Sequence, residues 1–303
     1  MKKNILITGA TGFVGKHVLE EFSSQNVFAL SSSVKAIDGV DEVFSWDELD
    51  KINRTFDAVI HLAGLAHDTQ NKRDEQDYFD VNEGLTKKLL SHCTRWQVRT
   101  FIYLSSVKAV VDSTSDDVLD EDSKSTAKGV YGRSKLAAER AIEKSNFNGT
   151  KIILRPVMIY GKGQKGNLKA LETIVNKGIP YPFGKWDNKR SVLYVKNLTF
   201  CIKKLIDNQG ESGTYFISDD SPISTTQMLQ YIGNGINKKP HLVSIPNGLI
   251  RFVRSISPNK VKNILDKVLG SLEVDNMKLL KALNWNKMPY ETKESFEKTF
   301  RIN

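Results

Sequence analysis

Three stretches of the chain carry residue types at spacings that can do chemistry. The first is Gly9-Ala10-Thr11-Gly12-Phe13-Val14-Gly15. Glycines let backbone approach a phosphate closely, and the amides that open a helix supply donors and partial positive charge. This run therefore suits the pyrophosphate of a dinucleotide. The second, Tyr131-Gly132-Arg133-Ser134-Lys135, sets a phenol and an ammonium four residues apart, on one face of a helix. An ammonium so placed favours the phenolate and draws the tyrosine from about 10 toward working pH, which makes Tyr131 a general acid or base. The third is Ser105-Ser106, directly after the apolar run 101–104. At the carboxyl edge of a parallel sheet, a hydroxyl there can hydrogen-bond a substrate oxygen as charge develops on it.

The glycine loop and the Tyr/Lys spacing each have a decoy. Gly161-Lys162-Gly163-Gln164-Lys165-Gly166 spells G-x-G-x-x-G more literally, but Pro180 and Pro182 break up the stretch beyond it, so no helix and second parallel strand are expected there. Tyr181-Pro182-Phe183-Gly184-Lys185 repeats the Tyr-to-Lys spacing, but Pro182 and Gly184 forbid a regular helix. The weight lies in the order glycine loop, Ser-Ser after a strand, then Tyr-x-x-x-Lys on a helix.

The elements that must position these residues are legible as alternating strands and helices. Residues 4–8 form a short apolar run of the two-sided buried kind, and Val14, Val18, Leu19 and Phe22 recur at helical spacing. Strands are expected at 27–30, 42–45, 58–62, 101–105 and 151–154, with helices at 80–96 and 131–144. That alternation predicts an α/β fold with a doubly wound parallel sheet. A dinucleotide-binding domain over 1–155 is expected, with return segments near 190–217. A smaller, interleaved substrate lobe fills most of 156–303, where glycine and proline punctuate short segments. Residues 191–195 and 214–217 are candidates for further strands added to the sheet. Residues 249–269 are apolar and basic, and Pro258 splits them into two helices. Such a segment can lie on a membrane surface, but the preferred reading packs it on the substrate lobe with its basic face solvated.

Composition narrows the function classes. The 303 residues are 40% hydrophobic and 26% charged, enough for a substantial core without metal or disulfide staples. A net charge of +9 favours an anionic partner, yet the lysines are scattered among acids, which argues against nucleic acid and for an anionic small molecule. Cys93 and Cys201 form no CxxC pair, so neither a disulfide framework nor a metal site is expected. No run reaches the length of a transmembrane segment. Lys16 and His17 cut short the apolar start, so it is read as the first buried strand of a cytoplasmic protein.

With these motifs in hand, the chain resembles, over essentially its whole length, the extended short-chain dehydrogenase/reductases. The likeness is in particular to the epimerase/dehydratase branch that includes UDP-galactose 4-epimerase. The matching stretches are 8–15, Asp57-Ala58-Val59-Ile60-His61-Leu62-Ala63-Gly64, Val81-Asn82, Ser105-Ser106, 131–135, and Leu154-Arg155-Pro156 with Tyr160-Gly161. The resemblance implies an NAD(P)-binding Rossmann fold and Ser106, Tyr131 and Lys135 as catalytic residues, with Asn82 as a structural polar residue. It implies cofactor contacts from Gly9, Thr11, Gly12, Phe13, Val14, Gly15, Leu62, Ala63, Gly64, Tyr131, Lys135 and Pro156. Ser106, Asn167 and Arg190 would face the substrate, the last two at its diphosphate, where the planar fork of an arginine suits bidentate bonds. A homodimer through helices 80–96 and 131–144 is also implied.

Departures from the family pattern refine the reaction. Val107-Lys108 replaces the Asp-Glu pair of the 4,6-dehydratases, so elimination of water is not expected. Ser31-Ser32-Ser33, with Lys35 nearby, stands where NAD-preferring members place an Asp, which leans the cofactor choice from NAD toward NADP(H). Ala66 replaces a Lys of the UDP-galactose 4-epimerases. His67, Lys108 and the segments 164–168, 184–197 and 271–275 look closer to bacterial 4-ketoreductases, though no role is assigned to His67 or Lys108. The leading expectation is reduction of a UDP-4-keto-6-deoxy-N-acetylhexosamine for surface polysaccharide synthesis. The alternative is a UDP-hexose or UDP-N-acetylhexosamine 4-epimerase. A catalytically silent dinucleotide sensor ranks behind both, because it would have no reason to keep Ser106, Tyr131 and Lys135 in register.

Overall fold

A computed structural model of the chain describes residues 1–66, 73–164 and 167–301. The strands are β1 (Asn4–Thr8), β2 (Asn26–Ser31), β3 (Glu42–Ser45), β4 (Ala58–His61), β5 (Thr100–Leu104), β6 (Thr150–Pro156), β7 (Met158–Tyr160), β8 (Val192–Tyr194) and β9 (Gly213–Ile217). The helices are α1 (Phe13–Glu21), α2 (Glu75–Phe79), α3 (Leu85–Cys93), α4 (Val130–Glu143), α5 (Asn167–Asn176) and α6 (Val195–Asp207), followed by α7 (Thr225–Gly235), α8 (Asn247–Ile256), α9 (Asn259–Leu269), α10 (Met277–Ala282) and α11 (Thr292–Phe300).

Seven strands form one sheet in the order β3-β2-β1-β4-β5-β6-β9, and every neighbouring pair is parallel. The order reverses between β1 and β4, where a doubly wound sheet opens its ligand crevice. Successive side chains on a strand point to opposite faces. Ile5, Ile7, Ala29, Ile60, Ile102 and Leu154 accordingly join one core, packed on α1 and α6. Leu6, Phe28, Leu30, Val59, Phe101 and Ile153 join the other, under α3 and α4. Burial on both sides is why these strands read as unbroken apolar runs.

Four expectations need correction. Residues 191–195 do not add to the sheet. β8 instead pairs in parallel with β7 in a separate two-stranded sheet, and only β9 returns to the large one. The second glycine segment does lead into a helix, α5, and a parallel strand, β8. Pro180 and Pro182 lie in the connection after α5, where a missing amide costs little. The helix expected at 80–96 starts earlier, at Glu75, and passes through a wide π turn at Asp80–Gly84 before continuing as α3. Finally, residues 249–269 form the two helices expected around Pro258. In α8, however, Ile250 is buried while Leu249, Phe252 and Ile256 are exposed, so the face bearing those three side chains is not laid on the lobe.

The smaller sheet is tied to the large one by a buried carboxylate just beyond β9. Asp219 Oδ2 accepts from the Tyr160 hydroxyl at 2.9 Å, and Oδ1 accepts from Tyr194 N at 2.9 Å and Asn197 Nδ2 at 2.7 Å. Burial pushes its pKa up to about 6, against the downward pull of those donors. Asp219→Ala removes an acceptor from four buried donors, the fourth being Thr292 Oγ1 at 3.4 Å. It is expected to lower unfolding free energy by about 3 kcal/mol in urea titration.

Candidate functional site

The carboxyl ends of β1, β4 and β5 converge with the amino ends of α1 and α4. Gly9 has φ +71°, a left-handed conformation that favours glycine, and a Cβ there would lie 2.8 Å from Ala63 N. A Cβ on Gly15 would collide with the carbonyls of Gly9 and Ala10, so glycine at 15 lets α1 close onto the turn that feeds it. Gly12 caps α1 without a side-chain hydrogen bond, and no acidic residue occupies its first turn. The amides opening α1 therefore keep the donor character and partial positive charge that a pyrophosphate requires. Leu62, Ala63 and Gly64 leave β4 beside this loop, and a Cβ on Gly64 would come within 2.9 Å of Lys135 Nζ.

The two serines after β5 divide their work. Ser105 is buried, and its hydroxyl donates to Glu139 Oε1. Ser106 is half-buried, accepts from Lys108 N at 3.1 Å and lies close enough to the Tyr131 hydroxyl to draw its pKa down. Such closeness needs α4 to press directly on the turn carrying Ser106. Gly132 allows it, because a Cβ there would run into the Lys108 carbonyl.

Tyr131 and Lys135 share a face of α4 as expected, but their electrostatics differ from the expectation. Burial raises the Tyr131 pKa, and the group pulling it back is Ser106 rather than the ammonium. Lys135 itself is buried and brought down to about 7, with Glu139 holding it from falling further. Its Nζ donates to the Leu104 carbonyl at 2.8 Å and sits 4.6 Å from the Tyr103 ring centroid.

Two polar networks underlie these groups. In the first, Glu139 takes Arg155 Nη2 at 2.7 Å and Nε at 3.1 Å, with side chains 1% and 10% exposed respectively. In the second, Thr8 Oγ1 lies 2.6 Å from His61 Nδ1, and His61 Nε2 lies 2.9 Å from Thr86 Oγ1. Because Thr86 donates to the Asn82 carbonyl, it can only accept from His61. The ring is therefore the neutral Nε2–H tautomer, and all bonds run one way from Ala63 N through Thr8, His61 and Thr86 to Asn82. Burial and the Lys135 charge hold His61 at about 3, consistent with that neutral state. Asn82, in the π turn, grips Leu65 N and O at 2.8 and 3.1 Å and Ser134 Oγ at 2.9 Å. It thus has the structural role expected of it.

Glu139, Thr8, Thr86 and the role of His61 were missed from sequence. A glutamate one further turn along the Tyr131/Lys135 face was the available signal for Glu139.

Arg190 and Pro156 take no part in these two networks. Arg190 is half-buried and donates from Nη1 to the Gly270 carbonyl at 2.9 Å, while its backbone bridges Ile223 and Leu272. Asn167 opens α5, and Pro156 ends β6. His67 and Gly166 lie outside the described residues. The second glycine segment touches the first: the Lys162 carbonyl is 3.1 Å from His17 Nε2 on α1, and a Cβ on Gly161 would approach Phe13.

A seven-stranded parallel sheet, a glycine loop opening α1, and a serine beside Tyr-x-x-x-Lys at the fifth strand define an extended short-chain dehydrogenase/reductase. Residues 6–240 match the 3-beta hydroxysteroid dehydrogenase/isomerase family, and the chain belongs to that family. It is 29% identical to a UDP-glucose 4-epimerase of Vibrio cholerae, over 99% of this chain and 95% of the relative. It is 27% identical to the N-acetyl-alpha-D-glucosaminyl-diphospho-ditrans,octacis-undecaprenol 4-epimerase of Escherichia coli O157:H7, over 89% and 82%. The fold is shared with the crystal structure of UDP-N-acetylglucosamine 4-epimerase from Bacillus cereus, at a TM-score of 0.77 and 22% identity, covering 99% and 98% of the two chains.

The depressed lysine sets a pH dependence. The unfolded chain keeps the Lys135 proton up to about 10.5 and the folded chain sheds it near 7, so this group's contribution to stability rises with pH across that window. Lys135→Met abolishes that rise. The difference in unfolding free energy between wild type and variant is expected to change by on the order of 4 kcal/mol across the window, read by urea titration at each end.

Proposed function

We propose that this protein is an NAD(P)-dependent enzyme that oxidises and reduces C4 of a sugar carried on a diphosphate, with 4-epimerisation as its net reaction. The observation that carries this reading is the close approach of α4 to the turn after β5, where Gly132 lies against the Lys108 carbonyl and Tyr131 comes beside Ser106, next to the glycine loop. The loop fits a dinucleotide: Gly9 and Gly15 allow the tight approach of β1, α1 and the β4 exit, and the amides opening α1 have no competing side-chain cap. Gly9, Thr11, Gly12, Phe13, Val14 and Gly15 would hold the pyrophosphate end, and Leu62, Ala63, Gly64, Tyr131, Lys135 and Pro156 the nicotinamide end. When bound, the nicotinamide accepts and returns a hydride.

The chain's own groups move the proton. As the phenolate, Tyr131 takes the proton of the C4 hydroxyl as that carbon is oxidised, and as the phenol it returns that proton when the ketone is reduced. Ser106 hydrogen-bonds the same oxygen and keeps it within reach. Glu139, Arg155 and the Leu104 carbonyl set where Lys135 stands beneath them. In this reading Arg190 and Asn167 meet the diphosphate. The names of the Vibrio and Escherichia relatives both place the sugar on a diphosphate, the first on UDP and the second on undecaprenol, which supports that choice of substrate class.

A second reading, reduction of a UDP-4-keto-6-deoxy-N-acetylhexosamine, is favoured by the end of β2. Ser32, Ser33 and Lys35 are exposed there with no carboxylate among them, an arrangement that admits the 2'-phosphate of NADP(H) drawn from solution. The two readings separate on cofactor stoichiometry. Conversion of UDP-glucose or UDP-N-acetylglucosamine to the 4-epimer without net cofactor loss establishes the epimerase. Consumption of one NAD(P)H per 6-deoxy sugar formed from the keto substrate establishes the reductase.

Two variants probe the assignment of residues. Tyr131→Phe retains NAD(P)H binding, read by nicotinamide fluorescence, and loses turnover by about 10²–10⁴-fold; retained turnover overturns the role of Tyr131. Ser32→Asp places a carboxylate against the 2' position, and the ratio of NADPH to NADH affinity is expected to fall by at least about tenfold in the same titration.

A further inference from the structure

We propose that α8 and α9 dock this protein onto an anionic lipid surface. In α8, Leu249, Phe252 and Ile256 fall at i, i+3 and i+7, a single stripe along the helix, and are 51%, 60% and 67% exposed. Val261 in α9 is 43% exposed, and Val243, just ahead of α8, is 39% exposed. Large aliphatic and aromatic side chains on one stripe of a short helix have no reason to face water unless something else covers them.

Charge identifies the cover. Residues 247–269 carry Arg251, Arg254, Lys260, Lys262 and Lys267 against the single acid Asp266, so this segment holds +4 of the chain's +9. A helical segment with an exposed apolar stripe and a net positive charge partitions into the interface of an anionic bilayer. The stripe enters the headgroup boundary, and the cations remain among the lipid phosphates.

The mounting is suited to this role. The carboxyl end of α9 is held by Trp186 Nε1 on the Leu269 carbonyl at 2.7 Å, by Thr225 Oγ1 on Val268 at 3.1 Å, and by Asn188 Nδ2 and Arg190 Nη1 on Gly270 at 3.1 and 2.9 Å. The helical pair is thus fixed at one end to the segment bearing Arg190, while the stripe of α8 faces out. Among the described residues no helix is long and apolar enough to cross a membrane, so the contact is peripheral. This inference does not depend on the reaction assigned above.

The test uses the full chain and sucrose-loaded vesicles of phosphatidylcholine, alone or mixed in equal parts with phosphatidylglycerol. The protein is expected to sediment with the mixed vesicles and at least about tenfold more weakly with neutral ones, and to be released by high salt. Phe252→Ser with Ile256→Ser is expected to weaken sedimentation at least about tenfold while leaving the thermal midpoint unchanged, since both side chains already face water. As a gain of signal, Phe252→Trp is expected to shift its emission to the blue on adding mixed vesicles. Failure to sediment, sedimentation unaffected by the double substitution, or a dimer that the double substitution converts to monomer in sedimentation equilibrium would each overturn the proposal. In the last case a second copy of the chain is the occupant.

Discussion

Both faces of the parallel sheet are covered, so polar atoms beneath its carboxyl edge depend on partners inside the protein, and the Tyr103 hydroxyl has none among the described residues. Two solutions meet under Tyr131 and Lys135. On one side Glu139 is committed to Arg155 and Ser105, a buried ion pair whose separation costs about 3–5 kcal/mol because either charge alone is stranded. On the other, a neutral imidazole passes one direction of hydrogen bonding from the β4 exit to the π turn. The first network joins α4 to β5 and β6. The second joins β1 and β4 to the helix carrying Asn82, and Asn82 reaches α4 through Ser134. The residues that face a ligand are therefore positioned by groups that never see one.

This arrangement explains the behaviour of Lys135. A lysine in apolar surroundings gives up its proton easily, and here Tyr103 beneath it and the covered sheet provide such surroundings. Glu139 supplies the partial compensation, but that carboxylate is already shared with Arg155 and cannot be spent wholly on the lysine. The result is an amine near neutrality rather than a permanent cation. Tyr131 then relies on the Ser106 hydroxyl for its tuning.

Much of this is legible in the residues. Apolar runs such as Ile5-Leu6-Ile7 and Val59-Ile60 can only be two-sided strands, and the glycine loop, Ser-Ser and Tyr-x-x-x-Lys fall at the sheet edge because each comes directly after a strand or opens a helix. Misreadings arise where distant contacts decide. Val192–Tyr194 resembles any other short strand, and nothing local to it says that Met158–Tyr160, rather than the large sheet, is its partner. The prolines after 161–166 argue locally against a helix and strand there, yet they lie beyond α5 and leave the crossover intact. Glu139 and Arg155 sit sixteen residues apart on a helix and a strand, so their pairing exists only once the sheet is built.

The π turn at Asp80–Gly84 has a consequence for how this chain can change. A regular helix advances about 100° per residue, and a π turn absorbs an extra residue without continuing that count. The turn thus separates the phase of α2 from that of α3, whose Leu89, Leu90 and Cys93 must face the core while Asn82 faces Leu65 and Ser134. Substitution within Glu75–Cys93 alters one contact at a time. Removing a single residue would rotate one half of the helix against the other by more than a quarter turn, exposing either the core stripe or the amide that anchors α4. This segment should therefore drift in composition while its length stays constant, a restriction on descent imposed by geometry rather than by the chemistry of any one side chain.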